Sequence, residues 1–336
     1  MRRWLPLAVG SGLLLAGCTE SRGPTQPAVR GAPTFDSEHG QGPRTHVMTP
    51  RGQDRGRHGG QGGGNTGIFY HGGPIIYNQN VAAIYWSDAP IYNGGPAPGT
   101  TGPGSADGSL VGFYMSNLGG SPYFNINTTY FDGSNTHINN VVNYTQYWAS
   151  NTNLPPTDYS PLSDDAIIAQ IEAGFSSGAL TFDPSTLYIV FTGIGVNPGG
   201  GFGTVYCAYH GFYIAADGRN VKYSAMPYAV DPAFPGACSA LNGSPNNDVA
   251  ADAEVNLISH ETEETTTDEN LDAWFDASGA ENADKCAWQF GQTYTTGNGS
   301  TANISVGGRD WLVQMNWVNA TVSKKGGPVG CKQGWP

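Results

Sequence analysis

Basic residues are scarce in this sequence. Only 15 of its 336 residues are Lys or Arg, against 27 Asp or Glu, and the formal net charge is −12. From residue 66 onward the imbalance is larger, with 7 basic against 23 acidic residues. Because nucleic-acid binding depends on Lys and Arg that neutralise phosphates, this composition argues against a nucleic-acid partner.

Several common functional motifs are also missing or out of context. The five cysteines contain no Cys-x-x-Cys spacing, which argues against a thiolate metal site. Gly193-Ile194-Gly195 follows a predicted strand but leads into Pro198 and more glycines, so no helix start is present to hold a nucleotide phosphate. Residues 174–178 match Gly-x-Ser-x-Gly, but a predicted helix precedes them where a serine hydrolase has a strand, so we predict a helix C-terminus.

The N-terminal segment resembles an export signal. Arg2 and Arg3 precede a mostly apolar run that ends at Gly17 and is too short to span a bilayer. The run closes with Leu15-Ala16-Gly17-Cys18, which resembles the lipobox where bacteria cleave and attach lipid to the cysteine. We therefore expect a signal peptide at 1–17, a lipidated Cys18 and anchoring to a membrane of the cell envelope. An ordinary signal followed by a chance cysteine is the alternative, and it also exports the chain.

The rest of the chain divides into a tether and a domain. Residues 18–65 consist largely of Gly, Pro, Arg, Gln and Thr, and they lack the apolar surface needed to offset the entropy of ordering. We predict a flexible tether there. Because no second linker interrupts residues 66–336, we predict that they form one loop-rich globular domain.

Four cysteines remain after Cys18, and an even number in an exported domain predicts two disulfides. Three pairings are possible. The favoured one joins Cys207 to Cys238 around a hairpin region and Cys286 to Cys331 near the C-terminus.

Local patterns predict an α+β domain with a mixed sheet and one helix that carries the chemistry. Predicted strands cover 75–86, 186–192 and 311–322, and a predicted hairpin covers 206–214 and 221–228. Predicted helices cover 108–118, 138–148, a segment that follows Ser163, and 248–265.

The predicted helix at 248–265 contains the one group of residues in the sequence that indicates a catalytic or metal-binding site. Its residues His260-Glu261-Thr262-Glu263-Glu264 repeat the His-Glu-x-x-His layout of zinc peptidases, with Glu264 at the second histidine position. Residues four apart share a helix face, so His260 and Glu264 can ligate one ion while Glu261 acts as general base. The other interpretation is a helix whose polar residues are satisfied by neighbours without metal.

A third protein ligand is required. Asp284 lies 20 positions beyond Glu264, a separation similar to that of the third ligand in thermolysin-like enzymes, and Glu281 is the reserve. One divalent metal is expected, with zinc favoured, although a histidine and two carboxylates also suit manganese, iron or calcium. A possible structural calcium loop is suggested by Asp268, Asn270, Asp272 and Asp276, although the Gly and closing Glu of an EF-hand are missing.

The motif and its surroundings resemble the Exordium, or phosphate-induced protein, family. The resemblance spans nearly the whole domain and rests on residues 259–268, 273–276, Gly279, Glu281, Asp284 and Cys286, with Tyr70-His71-Gly72-Gly73-Pro74 and Tyr206-Cys207-Ala208-Tyr209-His210-Gly211 upstream. It implies an exported, zincin-like domain more than it implies a reaction. The sequence departs from the family at Glu269, where members often have Pro, and the charged Glu263 is unusual between zinc ligands.

Two functions are consistent with these features. The first is a surface-anchored metal-dependent hydrolase of peptidase type, with a peptide or cell-wall substrate and with His71 and His210 as possible neighbours of the site. The second is a non-catalytic extracellular binding module on the same scaffold, whose aromatic segments around Tyr123, Phe124 and Tyr130 contact carbohydrate or peptide.

Overall fold

A seven-stranded mixed β-sheet forms the centre of the domain. In this computed structural model, the described residues are 44–52, 67–319 and 330–336. The strand order is β1-β7-β8-β6-β3-β5-β4. The strands are β1 (Arg44–Met48), β3 (Gln79–Trp86), β4 (Thr101–Pro103), β5 (Val142–Ser150), β6 (Thr186–Thr192), β7 (Ala208–Ile214) and β8 (Asn220–Met226). The predicted signal peptide and Cys18 lie outside the described residues.

The sheet combines parallel and antiparallel pairs. The central strands β5, β3, β6 and β8 run parallel to one another, whereas β4 and β7 are antiparallel to their neighbours. Strand β1 pairs with β7 in antiparallel register and occupies the edge. Every residue of β6 is buried, as predicted for a short apolar strand covered on both faces. The predicted mixed sheet is therefore confirmed.

Three α-helices, three short 3₁₀ helices and four small two-stranded sheets complete the described fold. The α-helices are α1 (Leu110–Leu118), α2 (Asp164–Ser177) and α3 (Val249–Thr267), and the 3₁₀ helices are Gly104–Ala106, Phe124–Thr129 and Asp284–Cys286. The small sheets pair β2 (Phe69–Tyr70) with β9 (Trp274–Phe275), β10 (Tyr294–Thr295) with β11 (Thr301–Ala302), β12 (Ile304–Val306) with β13 (Arg309–Trp311), and β14 (Asn316–Val318) with β15 (Gly330–Lys332). Among the described residues, no helix combines the length and apolar character that a membrane crossing requires.

Local capping signals in the sequence locate the helices well. The side chain of Ser163 accepts a hydrogen bond from the Ala166 amide at the start of α2, and Asp248 caps α3 in the same way. Helix α2 ends at Gly178, which adopts a positive φ of 73°. The Gly-x-Ser-x-Gly match is thus a helix C-terminus, as predicted.

Both predicted disulfides are present. Cys207 pairs with Cys238, and Cys286 pairs with Cys331. The second bridge lies two residues beyond Asp284 and connects this segment to β15.

Three predictions of local structure are wrong. Residues 138–148 were expected to be helical, but residues 142–148 belong to β5, because parallel pairing with β3 overrides an apolar spacing that fits either structure. Residues 311–322 do not form one strand: β13 ends at Trp311, β14 covers Asn316–Val318, and residues 320–322 lie outside the described residues. The tether prediction is wrong for residues 44–52, because backbone pairing with β7 orders β1.

The aromatic segments proposed for ligand contact belong to the interior. Tyr123, Phe124 and Tyr130 are each at most 1% exposed. The Tyr130 hydroxyl donates to the backbone oxygen of Trp317, so its polar end is also satisfied inside the fold. These side chains are core residues, and that part of the binding-module hypothesis is corrected.

Candidate metal centre

The C-terminal half of α3 is polar yet completely buried. From Ser259 to Thr267 every residue is polar, and every one is 0% exposed. Some hydroxyl groups are satisfied by the preceding turn: Thr266 donates to the Thr262 oxygen and Ser259 to the Val255 oxygen. The carboxylates cannot be satisfied in that way, and burying them is costly unless they meet partners or a metal.

His260, Glu264 and Asp284 are brought together, as the sequence predicted. Their ligand atoms all lie within 4.8 Å of one another. His260 Nε2 lies 3.1 Å from Glu264 Oε1 and 3.5 Å from Asp284 Oδ1. The Asp284 amide donates to Glu264 Oε1 at 3.0 Å, so the short 3₁₀ helix at 284–286 is held against α3.

These separations match those of ligands around a common ion. Two ligand atoms that each lie about 2.1 Å from a tetrahedral zinc are about 3.4 Å apart. His260 Nε2 is close to the carboxylates, but none of the described residues lies at an angle that makes a hydrogen bond with it. A buried nitrogen that faces carboxylate oxygens and has no hydrogen-bond partner fits a metal site.

Two further histidines face the same cluster. His210 on β7 is 1% exposed, and its Nε2 lies 3.3 Å from Glu264 Oε2 and 3.6 Å from Glu281 Oε1. His46 on β1 is its cross-strand neighbour, with Nε2 2.5 Å from Asp284 Oδ2. The sequence marked His210 as a possible neighbour of the site but missed His46, because that residue lies in the segment predicted to be a tether. The apolar residues Val47 and Met48, next to His46, were the only sign in this segment that it forms a strand.

Glu261 and Glu281 complete a cluster of three histidines and four carboxylates. Both oxygens of Glu261 are buried and have no hydrogen-bond partner among the described residues. Glu261 groups with His210 and Glu264, and Glu281 groups with His46 and Glu264. The predicted third ligand and its reserve therefore both belong to the cluster, and Glu264 is common to all three groups.

Burial and mutual charge shift the pKa values of these groups in opposite directions. Burial raises the pKa of Glu261 and that of Glu281 to about 8. Burial alone lowers the pKa of His210, but the carboxylates of Glu281 and Glu264 outweigh it and raise this pKa to about 10. Burial likewise opposes ionisation of Asp284, yet His46 and His260 hold the pKa of that carboxyl well below its usual range.

Gln314 orients His260 through the ring nitrogen that faces away from the cluster. Its side-chain oxygen lies 3.3 Å from His260 Nδ1, and its side-chain nitrogen donates to the Ala283 oxygen at 2.8 Å. A proton on Nδ1 makes this nitrogen the donor and leaves Nε2 with its lone pair toward the cluster. Gln314 thus connects His260 to the backbone that precedes Asp284. Gln314 lies outside the motifs that the sequence shows.

Other suggested site residues lie elsewhere. His71 stacks on Phe275 with ring centroids 3.7 Å apart and is not among the clustered donors of the described residues. Asp268 and Asp276, from the suggested calcium loop, accept hydrogen bonds from the backbone of their own turns, and Asp276 also pairs with Lys285 at 2.7 Å. These contacts give both carboxylates roles in turns and an ion pair, and the structural calcium stays a prediction.

The cluster meets solvent along one side. The side chain of His46 is 25% exposed, whereas those of His210, His260 and Glu264 are at most 1% exposed. Strand β1 therefore borders the opening. Compared with models of protein families, with curated proteins and with solved structures, the chain matches none, so the Exordium resemblance stays a prediction.

Proposed function

We propose that the domain is a metal-dependent hydrolase of peptidase type, carried on a lipoprotein of the cell envelope. The observation that carries this proposal is the buried convergence of His260, Glu264 and Asp284 beside Glu261. Their separations of 3.1 to 3.5 Å suit ligands of one divalent ion, and zinc is the ion that such a donor set commonly binds.

Each residue of the group has a distinct role in this proposal. His260, Glu264 and Asp284 hold the ion. The ion supplies Lewis acidity, which polarises a carbonyl and makes water nucleophilic near neutral pH. Glu261 accepts the proton of the attacking water on a carboxylate oxygen and delivers it to the departing amine. The absence of hydrogen-bond partners for both Glu261 oxygens among the described residues supports this role.

Two features favour an extended peptide as substrate. The cluster is exposed at His46, and His46 lies on β1, an edge strand of the sheet. Edge strands bind extended chains through backbone hydrogen bonds, which places a peptide next to the cluster. The alternative of a non-catalytic module is less supported, since the aromatic residues invoked for it are buried.

Separating metal binding from turnover tests this function. We expect Glu261→Gln to keep the metal and to lose hydrolysis of a peptide library about 10²–10⁴-fold. His260→Ala should lose both. Glu254→Gln is the matched control, because Glu254 is a buried glutamate on the same helix, outside the cluster. Metal content by mass spectrometry and cleavage by peptide sequencing are the measurements.

Three outcomes contradict parts of the proposal. Wild-type protein that retains zinc but cleaves no peptide refutes the enzyme and leaves the metal centre. Protein that retains no ion after exposure to zinc or manganese refutes the ligand assignment. Unchanged affinity in Asp284→Asn, with loss in Glu281→Gln, transfers the third ligand to Glu281.

The envelope anchor is tested independently. We expect membrane-fraction protein to begin at a lipidated Cys18, and Cys18→Ala to release it from membranes. Mass spectrometry of the N-terminal peptide provides the measurement. An unmodified N-terminus at another residue contradicts the lipobox prediction.

A further inference from the structure

We propose that the cluster binds two divalent cations bridged by Glu264, a proposal that rests on the metal-dependent function above. The first ion is held by His260, Asp284 and Glu264 Oε1. The second is held by His210, Glu281 and Glu264 Oε2, with His46 at its exposed side.

The two oxygens of Glu264 face different histidines. Oε1 lies 3.1 Å from His260 Nε2, whereas Oε2 lies 3.3 Å from His210 Nε2. Glu264 is 0% exposed and is the only residue common to the three donor groups found among the described residues. A carboxylate with one oxygen directed to each of two donor sets is suited to bridge two ions. In two-metal hydrolytic sites the ions are about 3.5–4 Å apart.

The second donor set has the spacing of a ligand shell by itself. Glu281 Oε1 lies 3.6 Å from His210 Nε2 and 3.5 Å from His46 Nδ1. Both values are close to the separation of about 3.4 Å expected for ligands of one tetrahedral ion. His46, Glu264 and Glu281 also offer donor atoms within 4.8 Å of one another. Of these residues, only Glu264 is assigned as a ligand of the first ion.

The charge of the cluster is compatible with two divalent ions. The four carboxylates carry four negative charges when ionised, and two divalent ions with neutral histidines balance them. All four residues are at most 8% exposed, so uncompensated charge is costly there.

The geometry around His210 suits a shared ion. His210 Nε2 and Glu264 Oε2 are 3.3 Å apart, yet neither atom has a partner in hydrogen-bonding geometry among the described residues. Glu281 Oε2 is also buried without such a partner. Atoms that converge in this manner are arranged for a common ligand.

Metal stoichiometry of the full-length protein tests the proposal. After loading with zinc or with manganese and removal of excess ion, native and elemental mass spectrometry should give two ions per chain for the wild type. His210→Ala and Glu281→Gln should each give one ion. His137→Ala is the matched control and should keep two, because His137 is exposed and binds the Thr128 oxygen outside the cluster.

A spectroscopic measurement keeps the test independent of variant folding. Manganese-loaded wild type should show an exchange-coupled electron paramagnetic resonance signal, and Glu281→Gln should show the six-line signal of isolated manganese. One ion per wild-type chain, without exchange coupling, overturns the second site and leaves the proposed hydrolase intact. A chain that binds no ion refutes both proposals.

Discussion

Replacing Gln314 by methionine is expected to weaken metal binding without touching a ligand. Gln314 is 0% exposed, and its side chain contacts His260 Nδ1 and the Ala283 oxygen. Methionine has a similar volume but cannot reproduce either hydrogen bond. The variant therefore releases the orientation of His260 and loosens the backbone that carries Asp284, while the core stays filled.

The expected magnitude follows from these two contacts. Loss of a residue that orients a metal-bound histidine typically lowers metal affinity about 10–100-fold, which equals about 1.4–2.7 kcal/mol of binding free energy. Each lost hydrogen bond also lowers the free energy of unfolding of the metal-free protein by about 1 kcal/mol, or about 2 kcal/mol together. The backbone amide of Gln314 keeps its bond to Asn256 Oδ1 at 2.7 Å, so local unfolding is not expected.

Competition with a chromophoric zinc chelator measures the affinity, and urea unfolding measures the stability. Gln170→Met is the matched control, because Gln170 is 2% exposed and its amide donates to Ser150 Oγ away from the cluster. It should lower stability by about 1 kcal/mol and leave zinc affinity unchanged. Equal zinc affinity in Gln314→Met and the wild type would refute the orienting role of Gln314.

Three further predictions concern the strand, the interior and a disulfide. His46→Ala should weaken metal binding about tenfold or more in the chelator assay, whereas Val47→Ala on the same strand should not; equal effects would exclude a ligand role for His46. Burial raises the pKa of Glu254 to about 8, so the folded protein keeps this proton above the pH at which the unfolded chain loses it, near 4.5. The stability that this proton contributes is complete below pH 4.5 and is lost as the pH rises through 8. In urea unfolding at pH 5, 6.5 and 8, the free energy of unfolding of Glu254→Gln should therefore decline less than that of the wild type. Parallel declines would contradict this assignment. Replacing Cys286 and Cys331 together by serine should lower the free energy of unfolding by about 2–4 kcal/mol in the same assay, and an unchanged urea midpoint would show that the bridge adds no stability.

Local interactions explain which parts of the fold were predictable. The start of α3 at Asp248, its extent, and the shared face of His260 and Glu264 follow from hydrogen bonds between residues four apart. The caps of α2 follow from Ser163 and Gly178 for the same reason. Strand β5 was missed, and a helix was predicted at 138–148 instead, because its pairing with β3 is non-local and an apolar spacing alone does not distinguish the two structures.

The residues of the candidate site likewise divide into those that local sequence predicted and those that only the folded structure revealed. The sequence by itself determined the motif on α3 and its likeness to a zinc-peptidase helix, and it directed attention to Asp284, Glu281 and the four paired cysteines. Only the tertiary structure brought His46 within 2.5 Å of Asp284, from 238 residues away in the chain. Sheet pairing of β1 with β7 makes that contact possible, and such register depends on partners distant in sequence. A helix specifies its own faces through local geometry, whereas a site built from several strands exists only after the chain has folded.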